Sequence, residues 1–380
     1  MQLTRILTKK NISLLIFLFV NFIFSAKYLN RVSGIYIILS IGICLFYAVI
    51  WRKRDYINKQ FIKRKISLKL IVILYFVFTI LLLYIIPKET LNVDRWSVIT
   101  SFWENYFNNK YVYYARSFHN NYPGPMPFYY ILALPFYLLG ELGLFSFCGI
   151  LLFTFLGYKS GYLNKNILIG FILISTSLFY LWELSSRSNL FVNGTLVLVS
   201  IVYFFKKYDQ TFKNNMMFGL FFGLLMSTRN VYAIPYFIAI LYALRCRKID
   251  FKNLIFLGLI SLLVFASTFL PFVWNHSEAF MVMNPFIIQS SFLMPFNYTI
   301  GFVLLAVLFS FLCKKESDIY FYSGVVLFLT ILCYFGYIVN KTGFREAFFG
   351  SRADVSYFIL AIPFSIFYLL YEEQEKTSVS

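Results

Sequence analysis

The sequence predicts an all-α membrane protein, a polytopic helical bundle of about 12 transmembrane helices with one or two interfacial helices in an external loop. Three observations predict it. Of the 380 residues, 60% are hydrophobic and the mean hydropathy is +0.73, well above a soluble domain. Apolar runs of about 20 residues recur along the chain, each long enough to cross a hydrocarbon core of roughly 30 Å. The links between them are short and carry most of the Lys and Arg, the pattern that orients helices in a membrane. The short alternating segments of a β-barrel are missing. The formal charge of +18 is spread over these links rather than along one stripe. It therefore argues orientation against membrane lipids, with no nucleic-acid partner.

The first apolar run, 12–26, resembles a signal peptide but lacks a clean small-residue cleavage site and is followed by further spans, so it reads as a retained first helix. A second run covers 34–51. The segment 52–69, RKRDYINKQFIKRKISLK, holds eight Lys or Arg against one Asp and is the strongest orientation signal, placing it in the cytoplasm. Binding of anionic lipid is its functional alternative. A third run, 68–86, stops at Pro87, which leaves 88–141 external. Within that loop Trp96, Ile99, Trp103 and Tyr106 recur at helical spacing, with Asp94 and Glu104 off the stripe, predicting a helix that lies flat at the interface. Residues 120–125, NNYPGP, form a turn. The apolar stretch 128–140 that follows contains Pro135, is too short to span, and reads as a second interfacial or re-entrant helix.

The remaining spans are read at 142–158, 166–182, 189–205, 216–227, 231–244, 254–274, 298–313, 319–339 and 355–371. The links 159–165, 206–214, 245–252 and 314–318 all carry Lys or Arg and fall in the cytoplasm; 183–188, 228–230, 275–295 and 340–354 fall outside. The whole of 1–380 is then one transmembrane domain, with two extra N-terminal helices in 1–67, the external loop 88–141 and a polar cytoplasmic tail at 372–380. Cys44, Cys148, Cys246, Cys313 and Cys333 have no metal or disulfide spacing and read as small buried apolar residues.

Ionisable groups near hydrocarbon are costly, and those on the external side are the functional candidates. The acids there are Glu89, Asp94, Glu104, Glu141, Glu183, Glu278, Glu346 and Asp354; Arg95, Arg116, Arg187, Arg229, Arg345 and Arg352 lie at the same face, with His119 and His276. Asp94 opens the flat helix, where a carboxylate reaches the mouth of the bundle; capping that helix is the plain alternative. Snorkelling to headgroups is the corresponding alternative for each arginine. His119 is a polar contact or a surface residue, and the aromatic loop around Tyr122 either stacks on a ligand ring or anchors at the interface. Glu183 and Arg187 flank one turn and read as a structural ion pair. Asn275-His276-Ser277 and Asn340-Lys341-Thr342 match glycosylation sequons, which matter only in a eukaryotic secretory pathway.

Three stretches carry a resemblance. They are an early external Asp followed by an aromatic helix and YPGPMPFYYILALPFYLLG at 122–140; FGLFFGLLMSTR at 218–229; and, more loosely, Ser351-Arg352 ahead of ILAIP at 359–363. Together they resemble the GT-C superfamily of integral membrane glycosyltransferases, of the dolichyl-phosphate-mannose and aminoarabinose transferase type. The resemblance covers 68–244 well and the last spans loosely; the two helices before the loop depart from the family's usual single first span. It implies a plasma (inner) membrane enzyme with its active site on the external, periplasmic face. It would move a sugar from a polyprenyl-phosphate donor to a glycan, lipid or protein acceptor, with inversion. A sugar on phosphate already carries an anionic leaving group, so one base suffices, unlike the two carboxylates of glycoside hydrolysis. The resemblance makes Asp94 that base and Arg352, Arg345 and Arg229, in that order, the clamp on the phosphate, with Glu104, His119, Tyr122 and Arg116 as further substrate contacts. No cofactor is obligatory and no metal ligands are assigned, although a divalent metal is compatible with the chemistry. Two rivals stand beside this reading: a surface-polysaccharide polymerase of O-antigen type, and a lipid-linked oligosaccharide flippase or transporter. The transporter calls for charges in mid-span and inverted repeats, which the sequence lacks.

Overall fold

A computed structural model describes residues 8–371 apart from residue 293; the tail read at 372–380 lies outside them. Every regular element among the described residues is helical. Four helices start on a polar side chain that accepts a backbone N–H: Thr8 before Lys9–Leu29, Ser67 before Leu68–Ile85, Thr211 before Phe212–Met226 and Asp250 before Phe251–Ser267. Each satisfies a donor that a helix leaves orphaned at its N-terminus.

Five helices are long and apolar enough to cross a membrane: Lys9–Leu29, Leu68–Ile85, Leu190–Lys207, Phe251–Val273 and Glu316–Thr342. Counting each bent pair as one span brings the number to 8, fewer than the twelve expected. The shortfall has local causes. The run read at 166–182 breaks at Ser177 into Asn164–Thr176 and Leu178–Ser185, inclined at 61°. There Ser177 Oγ donates back to Ile174 O at 2.7 Å, and Asn21 Oδ1 accepts from Leu178 N at 3.2 Å. The last run opens as a 3-10 turn, Val355–Ala361, before Ile362–Leu370. Phe212–Met226 has 15 residues, a length of about 22 Å. The basic segment expected as a cytoplasmic link instead contains a helix, Arg54–Lys63, turned 68° from Tyr36–Arg52.

The helices Leu190–Lys207 and Ile362–Leu370 form the buried heart of the bundle, with Lys9–Leu29 against the second of them. Leu68–Ile85 and Tyr36–Arg52 show mostly apolar side chains to the outside, the surface a helix presents to lipid. Two of the tightest approaches are at Gly219 and Gly223, where a Cβ would meet Ile260 Cγ2 at 2.6 Å and the Ser261 carbonyl closer still. This is the small-residue spacing that lets two membrane helices touch backbone to side chain. Only Cys313 of the cysteines expected to be buried is so; Cys246 and Cys333 are exposed and all five are free, because their helices turn those positions outward.

The charged links gather at the two ends of the bundle. At one end Lys9 pairs with Asp318 at 2.6 Å, Lys165 with Asp55 at 3.2 Å, and Lys206 donates to Lys159 O at 2.9 Å. The other end holds the loop 88–141. Its helix Arg95–Phe107 packs on Pro127–Leu138, with the Phe102 and Tyr130 rings stacked at 3.7 Å and Trp103 Nε1 donating to Tyr130 O at 3.2 Å. The buried stripe is therefore Ile99, Phe102 and Trp103; Tyr106, expected on it, is exposed. Pro127–Leu138 turns back through 113° into Gly143–Lys159, which fits a re-entrant or interfacial helix.

Candidate functional site

Asp94 precedes Arg95–Phe107 yet makes no capping hydrogen bond, which removes the plain structural reading of that residue. Its Oδ2 instead accepts from Ser117 Oγ at 3.0 Å and from Asn121 Nδ2 at 2.8 Å. Both donors sit on one tight turn, closed by Ser117 N to Asn121 O at 2.9 Å, with Asn120 in the left-handed region at φ 61°. Asparagine tolerates that conformation better than most residues. Phe118 N donates to Ser97 Oγ at 2.9 Å and ties the turn to the first turn of the helix. One carboxylate oxygen is thus held in place, while Oδ1 meets no partner among the described residues.

The next side chain, Arg95, reaches across the bundle end. Its Nη2 pairs with Asp354 and donates to Ser356 Oγ at 2.7 Å. The Arg95 guanidinium lies 5.3 Å from the centre of the Tyr357 ring, and that of Arg229 lies 5.7 Å from the same ring and 5.1 Å from Tyr129. Two guanidinium groups therefore meet one aromatic ring, and each contact is favoured by the ring quadrupole. Arg229 Nε is buried and has no partner. Burial by itself would raise the Asp354 carboxyl, but the Arg95 charge and the hydrogen bonds from Ser356 outweigh it and hold Asp354 below the usual carboxylate range. Lys27, buried at the end of Lys9–Leu29, pulls the same way.

The other residues singled out in the sequence fall in several places. Arg345 and Arg352 are exposed on the 343–354 loop, and their side chains touch no partner among the described residues. Arg229 alone of the three expected clamp residues meets the ring that Arg95, the neighbour of Asp94, also meets. Glu104 is exposed at the far end of the flat helix, about 15 Å along it from Asp94. His119 is exposed and meets only the edge of Phe118, at 5.1 Å. Arg116 covers the Tyr122 ring at 3.3 Å and donates to Asn120 O at 2.9 Å, so both belong to the turn that presents Asn121 to Asp94. Glu183 does not pair with Arg187. Arg187 is fully buried and spends its donors on Glu141 Oε1 at 3.1 Å and on the Leu83, Ile86 and Ser185 carbonyls. It caps the C-terminal end of Leu68–Ile85, whose last carbonyls need donors.

Arg95 and Asp354 were the residues missed. Both were among the external charges, but their pairing spans 259 positions and leaves no local signal.

An apolar groove of about 480 Å³ lies beside this site, lined among others by Leu132, Phe136, Leu152 and Phe155 on the re-entrant pair and Val192 and Leu196 on Leu190–Lys207. Tyr129, Leu132 and Phe136 follow one another along one face of Pro127–Leu138, so the groove begins a single turn from the ring that carries Arg229. Among the described residues no group of three or more His, Cys, Asp or Glu is placed to hold a metal ion. The arrangement offers one free carboxylate oxygen, two guanidinium groups and an apolar slot: it can take a proton from a hydroxyl, hold an anion and seat a hydrocarbon chain. Comparison with protein-family models, with curated proteins and with solved structures finds no match to the chain.

Proposed function

We propose that the protein is a membrane glycosyltransferase of GT-C type, which moves a sugar from a polyprenyl-phosphate donor to a hydroxyl-bearing glycan, lipid or protein acceptor. The single observation that carries the reading is Asp94: a carboxylate at a helix start that does not cap, is oriented by Ser117 and Asn121, and keeps one oxygen free. A buried or half-buried acid held in this way suits a general base, which contributes about 10²–10⁴-fold.

The remaining parts have matching roles. Arg229, joined by Arg95, offers planar guanidinium donors to the phosphate on which negative charge develops as the sugar leaves. The apolar groove takes the first isoprene units of the donor, which arrives from the side through lipid. The acceptor hydroxyl approaches Asp94 from the water-facing turn 116–122 and attacks the sugar carbon as its proton passes to Oδ1. Departure of the lipid phosphate completes a single displacement with inversion. In the protein reconstituted with lipid-phosphate sugars, Asp94→Asn retains its fold and loses transfer by at least about 100-fold. Full transfer by that variant would remove Asp94 as the base.

A further inference from the structure

A second polar group, apart from Asp94, is closed inside the bundle where the helix Leu190–Lys207 begins. Glu183 is fully buried, with 0% of its surface exposed; Ser188, Asn189 and Asn193 are exposed by 1%, 1% and 0%. Glu183 Oε1 accepts from Phe191 N at 2.7 Å, which fixes the carboxylate over the first turn of that 18-residue helix. The facing oxygen, Oε2, has no partner. Neither do Ser188 Oγ, both polar atoms of the Asn189 side chain, or both of Asn193. Asn189 and Asn193 are one turn apart along the chain, two positions before and two after the Phe191 amide that Glu183 accepts from.

Buried polar atoms without partners are rare and mark an ion or an ordered water. The charge decides between them. No Lys or Arg of the described residues forms an ion pair with Glu183, and a buried carboxylate without a direct counter-ion costs several kcal/mol. The four unpartnered oxygens, one of them anionic, are the hard donors that alkali and alkaline-earth ions prefer. A single carboxylate, with the charges of Arg95 and Arg229 acting on it, disfavours a divalent ion.

We propose that Glu183, Ser188, Asn189 and Asn193 form a buried site for one alkali cation, with Na⁺ the best match to carboxylate and carboxamide oxygens. The ion neutralises Glu183 and fixes the turn 183–189, from which Arg187 holds Leu68–Ile85 to the rest of the bundle. The two readings fail separately: loss of this site would leave Asp94 in place, and failure of Asp94 as a base would leave this site standing.

The test is thermal unfolding of the full chain in detergent, in NaCl, KCl, LiCl and N-methylglucamine chloride at one ionic strength. The expected result is a saturable rise of Tm with Na⁺ of roughly 2–4 °C over the organic cation. Equilibrium dialysis of the unmutated protein with ²²Na⁺ should retain about one ion per chain, a reading that needs no variant to fold. Glu183→Gln and Asn193→Ala should abolish both responses. Equal Tm in all four chlorides, or no retained sodium, would overturn the proposal and leave the cluster to water and a protonated Glu183.

Discussion

Arg95 and Asp354 lie 259 positions apart in the chain and form an ion pair that ties the helix Arg95–Phe107 to the start of the last helical segment. The same residue that follows the proposed base is thereby anchored on the opposite side of the site. Ser356 completes the anchor, accepting from Arg95 at 2.7 Å and donating to Asp354 Oδ1 at 2.6 Å.

The pair makes stability depend on acid in a defined direction. Asp354 is held below its ordinary range, despite burial that acts the other way, by Arg95 and Ser356. A carboxyl depressed on folding contributes stability above its unfolded value, about 3.9, and loses that contribution as pH falls through the lower folded value. Asp354→Asn should therefore cost about 1–2 kcal/mol at neutral pH, less than a fully buried pair because the carboxylate is partly solvated. The difference in Tm between the two proteins should shrink below about pH 4. A difference that stays constant from pH 7 to pH 3 would remove the ion pair as its source.

The arginines separate by position. Arg229 and Arg95 share the Tyr357 ring, while Arg345 and Arg352 are exposed. Arg229→Lys keeps the charge and loses the planar fork, so donor affinity should fall by about tenfold or more. Arg345→Ala and Arg352→Ala should change KM for the donor by less than about twofold, since charges on the outer rim are screened. Steady-state kinetics with varied lipid-phosphate sugar checks both statements. The opposite ranking would restore the order that the sequence suggested.

The sequence carried the helical class of the fold, and the reasons are visible in particular residues. Apolar runs and basic links need only local composition, so Lys9–Leu29, Leu68–Ile85 and Leu190–Lys207 fall where expected to within a few residues. The break at Ser177 was not legible, because the group that caps the second half is Asn21, 157 positions earlier. The partner of Arg187 was misjudged for a similar reason. Glu183 is nearer in sequence, but Glu141 is nearer in space, and the positive φ of 57° at Arg187 turns its side chain toward the end of Leu68–Ile85. The position of Asp94 marks it out in the sequence, but whether it caps or keeps an oxygen free depends on Ser117 and Asn121, which only a folded turn brings to it.

Gly223 should not tolerate a methyl group. Its missing Cβ faces the Ser261 carbonyl and Val264 Cβ at 2.9 Å, so Gly223→Ala must push apart Phe212–Met226 and Phe251–Ser267. Overpacking of this kind costs about 1–3 kcal/mol. Gly258 lies on the second of these helices with nothing within 4 Å, and Gly258→Ala should be neutral or slightly stabilising, by up to about 1 kcal/mol from helix propensity. Paired thermal melts of the two variants check the contrast; equal effects would mean that the close approach at Gly223 is not formed.

The groove makes a prediction about the donor rather than the protein. Leu132 lines it one turn from Tyr129, with Phe136, Leu152 and Val192 as apolar neighbours. Leu132→Trp fills part of the groove without touching Asp94, Arg95 or Arg229. Each buried CH₂ of a lipid tail is worth about 0.8 kcal/mol, so a donor with a long polyprenyl chain should lose most of its binding advantage in the variant. A donor truncated to one or two isoprene units gains little from the groove and should be turned over by both proteins at similar kcat/KM. Comparing the two donors on the two proteins gives a four-way measurement in which the coupling, not the absolute rate, is read. If Leu132→Trp lowered kcat/KM equally for long and short donors, the groove would be a packing defect of the bundle, and the lipid would have to enter elsewhere.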